Sequence, residues 1–373
     1  MWKMATKDVA VVLSGGSVNG VLMELGFLQR LRQSALWPQV GWIYGTSAGA
    51  LAGTMACLDR LDDLEAFLLE LRPEDAFRPN RLWRLPLLGT HDYALPATVA
   101  ERIGDIDEIA RDLARCEREL VVCATDVTDT SGTGALDYEL VYSSRTTPPD
   151  ELAQAILASA AISTLVLPMR VGGRIATDGA WARNFPLAHA YAQPGVELIV
   201  AFRYVPSYPQ ADTAGLATLR RRLERFRAVP PVKALIAELR EAEDRDRRGE
   251  PPHLLDMIRR LMRVSVLRNT VLEERLADER DAVAMLRADV ARHLRRRPRL
   301  AREVDALFAA ASIPQAIPRI TVRATVGPVS LEPRFRRQPP WTDEAKRALI
   351  RRGWQLADAE LGEIEGLGAA NFR

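Results

Sequence analysis

Residues 40–58, VGWIYGTSAGALAGTMACL, contain the pattern from which the fold is predicted. The apolar run Val40 to Tyr44 stops at Gly45, and the segment Ala48 to Leu58 is rich in alanine and leucine. A short apolar run ended by glycine is typical of a buried strand, whereas alanine and leucine favour a helix. We therefore predict a strand, a tight turn and a helix, with Ser47 in the turn.

The same pattern occurs once before, nearer the N-terminus. Asp8 to Leu13 is an apolar run that meets Gly15 and Gly16, and Val21 to Leu31 has helical spacing. Strands that alternate with helices predict an α/β fold, here a three-layer α/β/α arrangement around a mainly parallel sheet with its functional loops at the carboxyl ends of the strands. Further runs predict a buried helix at Glu151–Ala160 and strands at Leu120–Asp126, Leu136–Ser143, Arg174–Ala176 and Glu197–Phe202.

The composition is that of a globular protein, since 47% of the 373 residues are apolar and 27% are charged. A formal net charge of +2 is too small to indicate nucleic-acid binding, so we expect no nucleic-acid partner. Cys57, Cys116 and Cys123 have neither a disulfide-framework nor a metal-ligand spacing, and Met1 to Asp8 lacks the apolar core of a secretion signal. We expect a cytoplasmic protein with no metal or other cofactor.

The chain changes character after Tyr208, where helix-forming segments become dense in arginine. We divide it into an α/β core at residues 1–210, a helical insertion at residues 211–312, and a return to the core at residues 313–373. The last part is predicted to contain a strand at Arg319–Val326 and a helical pair within Thr342–Leu361.

The arginine-rich helices have two interpretations. Residues 219–299 contain 22 basic and 14 acidic residues, and basic amphipathic helices can bind anionic lipid headgroups as a peripheral membrane surface. Acids alternate with arginines in segments such as Glu241–Arg248, which favours solvated helix faces that carry ion pairs.

Gly45-Thr46-Ser47-Ala48-Gly49 is a Gly-x-Ser-x-Gly motif. A nucleophilic serine needs small neighbours because it lies on a sharp, strained turn that exposes its hydroxyl. The motif alone also fits an ordinary glycine-rich turn. Its position between a predicted strand and a predicted helix is the context that a nucleophile requires.

The loop Ser14–Gly20, SGGSVNG, precedes a predicted helix, so its N–H groups can bind an anion. Gly15 and Gly20 have the spacing of a phosphate loop, but Val21-Leu22 stands where Lys-Ser/Thr is required. Gly16 and Gly20 are also spaced wrongly for a dinucleotide fingerprint. The loop therefore favours the oxyanion of an acyl-transfer intermediate over a nucleotide.

Asp178-Gly179-Ala180 follows Gly172-Gly173 and a short run, so it is predicted to lie on a turn at a strand end. A lone Asp-Gly is more often a hairpin turn than a catalytic base. Its functional interpretation depends on the two motifs described above.

The glycine-rich loop, the serine motif about thirty residues later and the distant Asp-Gly-Ala together resemble the patatin-like phospholipases. Gly26-Phe27-Leu28, Ala158–Ile162, Asn184 and Pro186 agree with that family. The resemblance covers residues 8 to about 205 and returns weakly over residues 319–360. It implies a serine acyl hydrolase, a lipase or phospholipase A-type esterase, whose partner is a lipid or other acyl-ester substrate.

The resemblance also implies roles for individual residues. Ser47 is the nucleophile, Asp178 is its partner in a Ser–Asp dyad, and the backbone N–H groups of Gly15, Gly16 and Ser17 form the oxyanion hole. The residues that support the three motifs are Gly20, Gly45, Gly49, Gly179 and Ala180.

Two positions depart from the family pattern. Ser17 stands where the family has glycine, so a positive φ there would have a conformational cost, and Asn19 stands where the family has arginine or lysine. The alternative function is therefore a catalytically weak protein that binds lipid or a partner in the same cleft.

A Ser–Asp–His triad is the rival mechanism. His91 precedes Asp178 in the chain, His293 lies in an arginine-rich segment, and neither His189 nor His253 follows a strand in a glycine-marked loop. We therefore expect a dyad. The lipid class, the acyl-chain preference and the oligomeric state do not follow from the sequence.

Overall fold

The secondary structure alternates between strands and helices through most of the chain. The computed structural model describes residues 7–80, 91–128, 138–163, 165–206, 220–221, 223–248, 254–326 and 341–366. The strands in these residues are β1 Val9–Leu13, β2 Val40–Thr46, β3 Phe77–Pro79, β4 His91–Tyr93, β5 Glu119–Asp126, β6 Glu139–Ser143, β7 Met169–Val171, β8 Arg174–Asp178, β9 Leu198–Pro206 and β10 Arg319–Val326. The helices are α1 Ser17–Arg32, α2 Ala48–Cys57, α3 Leu61–Glu70, α4 Pro73–Ala76, α5 Leu95–Arg102, α6 Ile106–Arg115, α7 Pro149–Ser159, α8 Leu187–Ala192, α9 Pro230–Arg247, α10 Leu254–His293, α11 Pro298–Ala310 and α12 Asp343–Gly366.

The main sheet has the strand order β10-β9-β1-β2-β5-β8-β7, and β6 pairs with β5. The five strands from β10 to β5 are parallel, whereas β6 and β8 run antiparallel to β5 and β7 runs antiparallel to β8. The mainly parallel sheet predicted from the sequence is confirmed. Leu13 pairs with Gly45, so the loops that follow β1 and β2 leave the same edge of the sheet side by side.

Helices cover both faces of this sheet. Alternate side chains of β1 enter different cores: Val11 and Leu13 pack with α1, α2 and α12, whereas Val12 packs with Leu187 of α8 and Ala277 of α10. Successive side chains of a strand point to opposite faces, so one strand contributes to both cores. The three-layer α/β/α architecture is confirmed.

Most predicted strands are present, with shifted ends. The strand predicted at Arg174–Ala176 continues to Asp178, and the one predicted at Glu197–Phe202 begins at Leu198 and continues to Pro206. The strand predicted at Leu136–Ser143 is seen from Glu139 onward, and residues 136–137 lie outside the described residues.

The prediction of a C-terminal helical pair is wrong, because residues 343–366 form the single helix α12. Gly353 lies inside this helix and does not break it. A Cβ atom at Gly353 would overlap with the carbonyl oxygen of Met23, and a Cβ atom at Gly26 would overlap with that of Ile350. The two glycines therefore permit close packing of α1 against α12, which a local pattern does not reveal.

The arginine-rich segment joins the core through α10, a helix of 40 residues. Tyr191 Oη donates to Asp281 at 2.7 Å, and Arg323 Nε donates to Glu274 at 2.8 Å. These polar contacts hold α10 against the face of the sheet that α8 also covers. The domain boundaries at residues 210 and 312 stay a prediction.

Within the described ranges, no helix is long and apolar enough to cross a bilayer.

Candidate active site

Ser47 lies in a strained turn between β2 and α2. Its backbone has φ 54° and ψ −115°, in the left-handed region that non-glycine residues rarely adopt. A Cβ atom at Gly45 would overlap with the carbonyl oxygen of Gly49, and one at Gly49 would lie 2.6 Å from that of Leu13. The flanking glycines are thus required by close backbone contacts, and the predicted strand–turn–helix context of Ser47 is confirmed.

Asp178 is the last residue of β8 and reaches Ser47 across the edge of the sheet. Ser47 Oγ donates a hydrogen bond of 2.8 Å to Oδ2 of Asp178, and the N–H of Ala180 donates to Oδ1 at 2.9 Å. Both Ser47 and Asp178 are buried, with 5% and 4% of their surfaces exposed. One carboxylate oxygen is therefore held in place by the Ala180 amide while the other faces the hydroxyl.

Burial raises the pKa of Asp178 to about 6, although the hydrogen bonds from Ala180 and Ser47 partly oppose this shift. Desolvation disfavours the ionised form of a carboxyl group, which makes the carboxylate a stronger base than an exposed aspartate. In this arrangement Asp178 can accept the proton of the Ser47 hydroxyl.

A second serine supports the turn. Ser159, at the end of α7, accepts a hydrogen bond of 2.9 Å from the backbone N–H of Ser47 and donates one of 2.6 Å to the carbonyl of Cys123. It thereby connects the turn to α7 and β5. The sequence signal for Ser159 was its position in the Ala158–Ile162 segment, but no role had been predicted for it.

The glycine-rich loop lies beside Ser47. A Cβ atom at Gly15 would lie 3.4 Å from Cβ of Ser47, and the N–H of Gly15 donates to the carbonyl oxygen of Asn184 at 2.9 Å. In the part of the chain that the structure describes, no acceptor takes the N–H groups of Gly16 and Ser17. Gly15 therefore shapes the loop, and the free donors belong to the next two residues.

Ser17 has φ 55°, so the positive φ expected at this position is present. The conformation costs a serine roughly 1–2 kcal/mol relative to glycine, but the backbone N–H that it provides is unchanged. Asn19 is buried two residues later, on the first turn of α1.

Asn184 packs against the glycine loop and is tied to α10. Its Nδ2 donates a hydrogen bond of 2.6 Å to Oγ1 of Thr270, and its Oδ1 is buried against Gly15 with no partner among the described residues. Nearby, Asn269 Nδ2 donates to the carbonyl of Trp181 at 2.6 Å. The contribution of α10 to this region was not predicted, because nothing in its sequence marks Thr270.

An apolar cavity extends from Ser47 into the layer of helices on the α1 side of the sheet. The space between its lining atoms, counted together with the open solvent at its mouth, is about 840 Å³, and the centre of a water-sized sphere can reach about 80 Å³ of it. Apart from Ser17, Ser47 and Thr54 its lining is apolar, with side chains such as Met55, Leu68, Phe77, Ile109 and Leu157.

His189 and His293 form their hydrogen bonds away from the Ser47–Asp178 pair. His189 Nε2 lies 2.7 Å from Oε1 of Glu139, and His293 bonds to the backbone oxygen of Asp289. His253 lies outside the described residues.

Cys123, Glu139 and His189 place ligand-type atoms within 4.8 Å of one another. Oε1 of Glu139 also accepts a hydrogen bond of 2.5 Å from Arg183 Nε. Burial alone would raise the pKa of Glu139, but the hydrogen bonds from His189 and Arg183 lower it to about 2. Because Arg183 already neutralises the charge of the Glu139 carboxylate, the cluster is an ion-pair network and does not fit a metal site.

The fold and the site define an α/β protein that carries a buried Ser–Asp pair on a strained turn. Residues 11–191 match the family model described as patatin-like phospholipase, so the resemblance to this family that the three motifs indicated is confirmed over these residues. No curated protein matches the chain. Among solved structures, the crystal structure of VipD from Legionella pneumophila is similar with a TM-score of 0.38 and 13% identity, over 95% of this chain and 67% of that one.

Proposed function

We propose that the protein is a serine acyl hydrolase, a carboxylic ester hydrolase that cleaves lipid acyl esters with Ser47 and Asp178. The observation that carries this proposal is the 2.8 Å hydrogen bond from Ser47 Oγ to a buried carboxylate. The patatin-like phospholipase match supports a lipid substrate.

In the proposed reaction, Asp178 takes the proton of Ser47 as Oγ attacks the ester carbonyl carbon. The resulting oxyanion accepts hydrogen bonds from the N–H groups of Gly16 and Ser17, which have no acceptor among the described residues. Asp178 then returns the proton to the leaving alcohol, and an acyl ester remains on Ser47. Water, deprotonated by the same carboxylate, releases the fatty acid.

The apolar cavity supports an acyl chain as the group that is transferred. Its walls offer almost no hydrogen-bonding groups, so a hydrocarbon chain gains roughly 0.8 kcal/mol for each buried CH₂. The acyl carbonyl would lie at Ser47 with the chain along side chains such as Leu68 and Ile109. A headgroup or alcohol would point outward from the carboxyl edge of the sheet.

A lipid in a bilayer reaches the site only if this edge meets the lipid surface. Val127, Tyr138 and Leu167 are exposed at 46%, 55% and 49% of their surfaces, near the strand ends around the site. We propose a cytoplasmic protein with peripheral membrane contact at this edge. Co-sedimentation of the native chain and Leu167→Ser with neutral and anionic liposomes tests this membrane contact. Equal binding by both proteins would contradict it.

A protein that binds lipid without hydrolysing it is the second candidate. The left-handed backbone of Ser17 favours it, because the loop is strained at a position where glycine would fit. A fluorophosphonate probe separates the two functions, since it labels an activated serine covalently. We expect labelling of the native protein and none of Ser47→Ala. An unlabelled native protein that still binds fatty acid would establish the second function.

A further inference from the structure

The outward face of α10 is apolar. Leu261, Val264, Leu276 and Leu286 are exposed at 57%, 56%, 64% and 62% of their surfaces, and Val271, Leu272 and Val283 at 52%, 40% and 44%. Monomeric proteins rarely expose so many large apolar side chains on one helix. Steps of three, four and seven residues, with Val271 and Leu272 adjacent, place them along one side of the helix.

Apart from the buried Ala277 and Ala284, the inward face of the same helix is polar. Thr270 bonds to Asn184, the carboxylate of Glu273 accepts from the N–H of Phe185 at 2.7 Å, and Glu274 bonds to Arg323. A helix at the surface of a globular protein normally has the opposite arrangement, with its apolar stripe inward. The reversal indicates that the outward stripe is buried by another molecule.

The stripe also carries charges in its central part. Arg275 Nε donates to Glu279 at 2.9 Å, and their side chains are 75% and 59% exposed. Arg268 lies about two helical turns before Arg275 on the same side and is exposed. From Leu261 to Leu286 the stripe is about 38 Å long, at 1.5 Å per residue.

We propose that this stripe binds the same stripe of a second copy of the chain, with the two helices antiparallel. One two-fold register then places most apolar residues of the stripe opposite apolar residues and Arg268 opposite Glu279, whereas Leu272 lies opposite Arg275. The pairs, each formed twice, are Leu261 with Leu286, Val264 with Val283, Val271 with Leu276, and Arg268 with Glu279.

The charges select both the partner and the direction. Parallel helices in register would put Arg268 on Arg268 and Glu279 on Glu279, and like charges at such positions repel. A second copy offers Glu279 an arginine partner, which an anionic lipid surface does not. In the antiparallel register Glu279 lies between Arg275 of its own helix and Arg268 of the second copy.

The test measures the molar mass and dimer Kd of the full chain by light scattering and analytical ultracentrifugation. We expect a dimer for the native protein. Arg268→Glu and Glu279→Arg should each raise the dimer Kd about tenfold, because each variant turns two attractive pairs into two repulsive ones. A mixture of the two variants should form a heterodimer with near-native Kd, because both contacts become attractive again.

Leu276→Glu should abolish the dimer, and Leu307→Glu on α11 is the matched control, because Leu307 is 68% exposed outside the stripe. Circular dichroism checks that each variant is folded. A native protein that is monomeric at tens of micromolar overturns the proposal, as does a mixture that associates no better than its components. Loss of anionic-vesicle binding by Leu276→Glu in a monomeric protein would assign the stripe to lipid and also overturn it.

Discussion

Asn184 Nδ2 donates a hydrogen bond of 2.6 Å to Oγ1 of Thr270, and this contact joins the loop beside Ser47 to helix α10. The two residues are 86 positions apart in the chain. The backbone carbonyl of Asn184 also accepts a hydrogen bond from the N–H of Gly15. The helix that the sequence presents as a separate insertion therefore supports the proposed oxyanion loop.

Thr270→Val should lower both stability and hydrolysis. The substitution leaves the buried Nδ2 of Asn184 without an acceptor, which costs about 1–3 kcal/mol of unfolding free energy. Asn184 then holds Gly15 less firmly, so we expect a lower kcat with little change in KM. Thr270→Ser keeps the hydroxyl and should recover kcat, as measured with a p-nitrophenyl ester. Equal kcat for the valine and serine variants would contradict this link.

Ser47→Ala and Asp178→Asn should each remove hydrolysis of a short p-nitrophenyl ester. Loss of the nucleophile leaves no acyl-enzyme route, and loss of a general base typically lowers the rate by about 10²–10⁴-fold. His189→Gln serves as the control, since His189 bonds to Glu139, and it should retain near-native activity. Native-like rates in either dyad variant would exclude the proposed mechanism.

Activity should increase with pH up to a plateau. Asp178 acts as a base only when ionised, and burial raises its pKa to about 6, so kcat/KM should rise through about pH 6. The pH profile of His189→Gln should be the same, which distinguishes the carboxylate from a histidine as the titrating base. A profile that is flat between pH 5 and 8 would disagree with this assignment.

Asp178→Asn should stabilise the fold at neutral pH. The folded-state pKa of Asp178, about 6, lies above the ordinary aspartate value of 3.8, so the ionised carboxylate destabilises the folded state at neutral pH. The stability that the protonated carboxyl group contributes is lost as the pH rises from about 4 to 6. We expect up to about 3 kcal/mol more unfolding free energy for the variant at pH 8 and little difference near pH 3.5. Urea unfolding of the native protein and the variant at both pH values measures this difference in unfolding free energy.

Ile109→Trp should shift the substrate preference toward shorter acyl chains. Ile109 lines the cavity from α6, and a larger side chain reduces the space for a long chain. Ile109→Val is the control and should leave the preference unchanged. Rates for p-nitrophenyl esters of increasing acyl length provide the measurement, and an unchanged preference in Ile109→Trp would place the acyl chain elsewhere.

Short-range patterns were sufficient to predict the layered α/β fold and the turn at Ser47. A strand and a helix show their character in the spacing of apolar residues within about ten positions. The requirement for Gly45 is equally local, because a Cβ atom there would overlap with the carbonyl oxygen of Gly49 in the same turn, whereas Gly49 is required by the carbonyl oxygen of Leu13 on the neighbouring strand. The resemblance of three short motifs pointed to Asp178, and the structure places it 2.8 Å from Ser47, although the two are 131 positions apart.

Sequence by itself thus determined which elements form, which turn is strained and which residues are candidates for chemistry. Tertiary structure alone decided that burial raises the pKa of Asp178, that the N–H of Gly15 is taken by Asn184, and that α12 is one helix passing Gly26 at close range. It also decided that α10 turns its polar face inward. Burial and hydrogen-bond pairing depend on atoms that are distant in the chain, so they exist only once the elements have packed together.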